Sequence, residues 1–140
     1  MTTEKSCPAS CTDLGLLFLR ITTSILLGFH GIAHLLDGAA GVKYVLSSVG
    51  LPEFLAYGSL VGELVAPVLI LVGFRTRAAA AIMAFNMLVA IFTAHAHEIF
   101  AINNYGGWAI ELPALYLFAA VTLVLTGGGR YALSSSNCLD

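Results

Sequence analysis

The sequence predicts an all-α fold: a polytopic membrane protein built as a four-transmembrane-helix bundle with both termini cytoplasmic. Three observations carry this expectation. Of the 140 residues, 59% are hydrophobic and only 10% charged, against about 25% charged in an ordinary soluble domain, and mean hydropathy is +0.91. Four apolar runs have about the 20 residues needed to cross a hydrocarbon core of about 30 Å. Lysine and arginine gather at alternate connections between those runs. A net charge of -2 leaves no basic excess for nucleic acid, so that class of partner is set aside.

The first span covers residues 14–36. A polar lead containing Lys5 precedes it, as in a signal peptide, but an apolar stretch of about 23 residues exceeds the usual 7 to 15 and reads as a retained span. Residues 1–13 read as a flexible tail. Cys7 and Cys11 form CPASC in that tail, with Cys138 on the same predicted side; in a reducing cytoplasm these are thiols, and two cysteines without further ligands make a weak metal motif.

The second span, residues 54–74, follows a connection rich in Gly, Ser and Pro; the stretch LVGELVAPVLILVGFRTR, residues 60–77, sets Glu63 inside its otherwise apolar run and closes on Arg75 and Arg77 just beyond it. The third, residues 78–96, starts after only residues 75–77, so the two form a tight hairpin. A loop holding Asn103, Asn104 and Tyr105 leads to the fourth, residues 108–126, which opens on Trp108, an aromatic anchor of the kind found at membrane interfaces. GGGRYALS then reads as a helix stop and inner-face anchor, and residues 136–140 as a tail. Residues 14–135 are thus one membrane domain.

Helices are preferred to a barrel because the runs lack strand alternation and a helix satisfies its own backbone in lipid. A soluble four-helix bundle would need a polar stripe along each helix, and VLILVGF and AAAAIMAF have none. Gly28, Gly31, Gly58 and Gly62 are expected to permit close helix approach. The second and fourth spans echo each other weakly, Glu63, Pro67, Gly73 and Arg75 against Glu111, Pro113, Gly127 and Arg130.

Lys5, Arg75, Arg77 and Arg130 fall on one side of such a chain and Lys43 alone on the other, which places both termini inside by the positive-inside rule. The remaining polar residues are then biased to the outer half: His30, His34, His95, His97, Glu98 and Glu111, with Asn86 near the midplane and Glu63 about 13 Å below the outer mouth. Arg20, about 9 Å above the inner face, has a stem long enough to reach Glu63 or to snorkel to the cytoplasm. At about 100° per residue His30 and His34 share a face, and Asn86 shares one with His97 rather than His95, so a regular third helix turns His97 inward.

An ionised carboxylate at the depth of Glu63 costs about 2.5 to 3.5 kcal/mol, so it is neutral, paired or facing water. Two readings stand: a packing pair with Arg20 or Asn86, or a proton-handling group in a ligand pocket. The histidines read either as structural groups, as a proton relay with hydrogen bonding to a ligand, or, less favoured, as haem or metal ligands. Neither HExxH nor paired ExxH is present, so no zincin or di-iron site is indicated. Glu111 reads as an interfacial carboxylate or as the outer gate of the Glu63 pocket, and Pro67 and Pro113 as shaping a cavity or a kink.

The residues that follow one another along the chain, LR at Leu19 and Arg20, FHGIAH, GLPEF leading into GELVAPVLILVGFRTR, Asn86, His95, GGWAIELPAL and TGGGRYALS, together resemble the DoxX family over about residues 14 to 135. The resemblance implies a bacterial or archaeal inner-membrane protein associated with redox chemistry, with relatives that include the membrane subunit of thiosulfate:quinone oxidoreductase. Its landmarks fall on Arg20, His30, Glu63, Asn86, His95 and Glu111. His34 stands where many relatives carry a lysine, which puts binding of a sulfur oxyanion in doubt.

From this follows an expected subunit of a membrane redox complex, coupling a quinone to a small reductant or partner protein, with a partner redox subunit or a homo-oligomer as its expected assembly. Glu63 accepts a quinol proton, Arg20 tunes it, and His30 or His97 bonds the head group; Arg20, His34, Asn86, His95 and Glu111 are pocket candidates, and no metal is expected. The alternative is a non-catalytic membrane scaffold or small-solute carrier, distinguished by each polar side chain having its own local partner instead of converging on a cavity.

Overall fold

The computed structural model describes residues 11–134, which leaves Lys5, Cys7 and Cys138 outside the described residues. Among those described the chain is helical, its one extended pairing a bridge between Ile102 and Trp108. We number the helices α1 (Cys11–Leu36), α2 (Ala40–Ser48), α3 (Glu53–Val72), α4 (Thr76–Ala94) and α5 (Glu111–Thr126). By length and apolar character α1, α3 and α4 suffice to cross a membrane. α5 is as apolar but has 16 residues, about 24 Å of helix.

α5 is shorter than its expected span for a local reason. Asn103 accepts bonds from the backbone N–H groups of Tyr105 and Gly107, the Ile102–Trp108 bridge closes a turn, and Trp108 donates its indole N–H to the Ile99 carbonyl at 2.7 Å. Residues 102–110 are therefore held outside the helix, which starts only at Glu111.

The helix faces are inverted relative to a soluble bundle. Phe18, Phe29, Phe85, Phe92 and Leu125 point outward and exposed, while the shared core of α1, α3, α4 and α5 is built from Leu27, Ala66, Ile70, Ala79, Ala80, Met83, Ala120 and Leu123. Four of those eight are alanines, which lets backbones approach where lipid supplies no hydrophobic drive for association. α2 lies apart, packing Leu46 against Ala39 and Ala56.

Two of the four glycines expected at close contacts are there. A Cβ on Gly31 would meet the Glu63 carbonyl oxygen at 2.5 Å, and one on Gly62 would meet Asn86 Cβ at 2.5 Å. A Cβ on Gly28 or Gly58 would meet nothing within 4 Å, so these two glycines are not at close contacts.

α3 is not a uniform helix. Residues Val61–Val65 form a π-helical turn in which the Ala66 N–H reaches the Val61 carbonyl. Two residues on, Pro67 has no N–H for the Glu63 carbonyl, and Gly31 brings α1 against that oxygen. The wide turn thus centres on Glu63, as such turns often do at functional positions.

At the opposite end from these residues, the start of α1 and the segment after α5 come together. Leu133 and Ser134 donate backbone bonds to Val72 and Gly73, and the Arg130 N–H donates to Asp13 at 3.0 Å. The first and last described residues therefore share one end of the bundle.

Candidate functional site

Glu63 is 6% exposed, and both of its oxygens are engaged. His34 on α1 donates through Nδ1 to Oε2 at 2.6 Å, and Asn86 on α4 donates through Nδ2 to Oε1 at 3.4 Å. Three helices thus meet at one carboxylate. The short charge-assisted bond to His34 offsets the cost of burying the carboxylate in an apolar bundle. With its Nδ1 proton directed to Glu63, the neutral His34 ring has Nε2 as an acceptor.

This pair forms one wall of a cavity of ≈ 150 Å³. α1 lines it with Leu27, His30 and His34, α3 with Glu63, α4 with Met87 and Ala90, the turn after α4 with His95, and α5 with Leu112, Pro113 and Tyr116. A few polar groups, His30, His34, Glu63, His95 and Tyr116, are set among apolar ones, the usual composition of a small-molecule site. His30 also stands edge-on to Tyr116, ring centroids 6.3 Å apart, so α1 and α5 touch at this level. Among the described residues no group of three or more His, Cys, Asp or Glu side chains is arranged to hold a metal ion.

Several expected site residues lie elsewhere. Arg20 does not reach Glu63. It is 1% exposed and donates to three backbone carbonyls, Nε to Ile70 at 2.8 Å, Nη2 to Leu71 at 2.9 Å and Nη1 to Gly128 at 3.0 Å. These are carbonyls at the C-terminal end of α3 and just beyond α5, where the helix dipole favours a cation. Arg20 is therefore a clamp at the end of the bundle remote from the cavity.

His97 is also outside the cavity. The expectation that it faces inward assumed a regular helix, but α4 stops at Ala94 and residues Ala96–Glu98 form a short 3₁₀ turn. That change of winding turns His95 to the cavity wall, with its Nδ1 bonded to Glu98 Oε2 at 2.7 Å, and leaves His97 exposed. Glu111 opens α5, exposed, with its Oε2 folded over Gly107, and it does not line the cavity.

Tyr116 was missed by the sequence reasoning, although a lone phenol within an apolar helix is a detectable signal. Glu98 was seen but not paired; its spacing of three from His95 was the clue. The apolar walls carried no signal, because Leu27, Met87 and Leu112 are indistinguishable from other core residues until the helices are placed.

A family model described as DoxX matches residues 15–96, a stretch that contains Arg20, His30, His34, Glu63, Asn86 and His95 and stops short of Glu111. A Bacillus subtilis protein named "Putative oxidoreductase CatD" is 32% identical over 121 residues, covering 86% of this chain and 85% of that protein. A Haemophilus influenzae protein, named only as uncharacterized, is 32% identical over 124 residues, covering 86% of this chain and 88% of that one. No solved structure matches significantly.

Proposed function

The chain belongs to the DoxX family, and on that premise we propose that it is the quinone-binding membrane subunit of an oxidoreductase. It sits in a bacterial or archaeal inner membrane with four spans, α5 being the fourth, and both termini cytoplasmic. The observation that carries the reading is the convergence of His30, His34, Glu63 and His95 on one cavity. A non-catalytic scaffold needs no such convergence; Arg20, with its own local carbonyl partners, behaves as a scaffold residue, and His97 and Glu111 lie outside the cavity.

The cavity's ≈ 150 Å³ is the volume that holds about one six-membered aromatic ring in an engineered protein cavity. A quinol bound there supplies two electrons, which leave to a partner redox subunit or small oxidant, and two protons. His34 Nε2 accepts a hydroxyl proton, and Glu63 stabilises the imidazolium through the 2.6 Å bond while fixing the tautomer that makes Nε2 basic. His95, held in the same way by Glu98, bonds the opposite hydroxyl and accepts the second proton. In the reverse direction the same groups deliver protons to a quinone. The name of the Bacillus subtilis relative, an oxidoreductase, supports the class of reaction.

The reading is tested by purifying the native chain and the Glu63→Gln variant in mild detergent and extracting bound lipid. Co-purifying quinone in the native chain, reduced in the variant, is the expected result. No quinone in either, together with full activity of the variant in cells, overturns it.

A further inference from the structure

The cavity, at ≈ 150 Å³, has room for a head group but not for a tail, whereas quinones dissolved in a bilayer carry long apolar tails. A lipid-borne ligand therefore needs an opening through which its tail stays in hydrocarbon. Of the seams between neighbouring long helices, that between α1 and α5 is packed most loosely. Both helices also bring exposed residues of the cavity wall to it: His30 is exposed, and Leu112 is 49% exposed.

Next to His30 and Leu112 the outer surface of both helices is apolar. Leu26 lies one turn from His30 on α1 and is 54% exposed; Leu115 lies about one turn from Leu112 on α5 and is 64% exposed. His30 and Tyr116, in edge-on contact, form the threshold between cavity and groove.

We propose that the α1–α5 seam is a lateral portal, through which the site loads an isoprenoid-tailed ligand directly from the bilayer, head group in the cavity and tail along Leu26 and Leu115. This rests on the quinone reading above. Recognition is divided accordingly: polar groups inside the cavity read the ring, and the groove reads only that a tail is present. A water-soluble ring lacking a tail enters without using the groove.

The test compares binding of one fully substituted benzoquinone head group, with and without an isoprenoid tail, to the native protein and to Leu26→Trp/Leu115→Trp in lipid nanodiscs. Tryptophans at both positions add bulk on the lipid-facing surface beside the cavity mouth. The tailed probe is expected to bind at least about tenfold more weakly to the variant, and the tail-less probe within about twofold of native. Phe118→Trp, on the lipid face of α5, is expected to change neither. Equal effects on both probes, or none on the tailed one, overturn the portal and leave the quinone site standing; failure of the native protein to bind either probe overturns the quinone reading and the portal with it.

Discussion

His34 Nδ1 and Glu63 Oε2 lie 2.6 Å apart, one on α1 and one on α3, with the carboxylate buried and the imidazole a third exposed. This asymmetry has an energetic consequence. Replacing His34 by Leu leaves a buried carboxylate with only the 3.4 Å bond from Asn86, a loss of about 3 kcal/mol or more. Replacing Glu63 by Leu leaves an imidazole that reaches water or headgroups, at about 1 kcal/mol. Thermal unfolding in detergent at neutral pH is expected to rank His34→Leu as the less stable variant; the reverse order contradicts the assignment of Glu63 as the buried member.

Arg20 ties α1 to the ends of α3 and α5 through three carbonyls. Arg20→Met removes three charge-assisted bonds and is expected to lower stability by about 3 kcal/mol or more, and to expose the segment after Thr126 to protease from the side of the termini. Quinone affinity of the folded fraction stays within about twofold of native. A large loss of affinity with an unchanged melting temperature would restore Arg20 to the site.

The glycines separate cleanly. Gly31→Ala and Gly62→Ala each force a Cβ to 2.5 Å of the Glu63 carbonyl or of Asn86, at about 1 to 3 kcal/mol, whereas Gly28→Ala meets nothing within 4 Å and gains up to about 1 kcal/mol of helix propensity. Melting temperatures of the three variants check the order.

His95 and His97 are two residues apart but face different surroundings. His95→Gln is expected to weaken head-group binding about tenfold, and His97→Gln by less than about twofold, as read by titration with a tail-less quinone. A larger effect of His97→Gln than of His95→Gln would mean that α4 continues regularly past Ala94.

Much of this was legible in the sequence. The positions of α1, α3 and α4 follow from apolar length alone, and the clustering of His30, His34 and Glu63 at one level of the bundle follows from depth along those helices. Three features were not legible. The reach of Arg20 depends on where the residues after α5 return, which no local pattern encodes. The inward turn of His95 depends on the break at Ala94, and helical phase fails where a helix ends. The π-helical turn at Glu63 arises from Pro67 and from the approach of Gly31 on another helix, a tertiary cause. His34 was not among the partners the sequence offered for Glu63, which were Arg20 and Asn86; the His34 bond depends on the packing of α1 on α3, which no local pattern encodes.

The most direct measurement is calorimetric titration of the protein in nanodiscs with a fully substituted, tail-less benzoquinone, for native, Glu63→Gln, His34→Gln and the double variant. One saturable site is predicted, about tenfold weaker in each single variant, with the double variant little worse than either because the pair acts as a unit. Absence of binding by the native protein, or native affinity in Glu63→Gln and His34→Gln, would contradict the assignment of the Glu63–His34 pair as the quinone site.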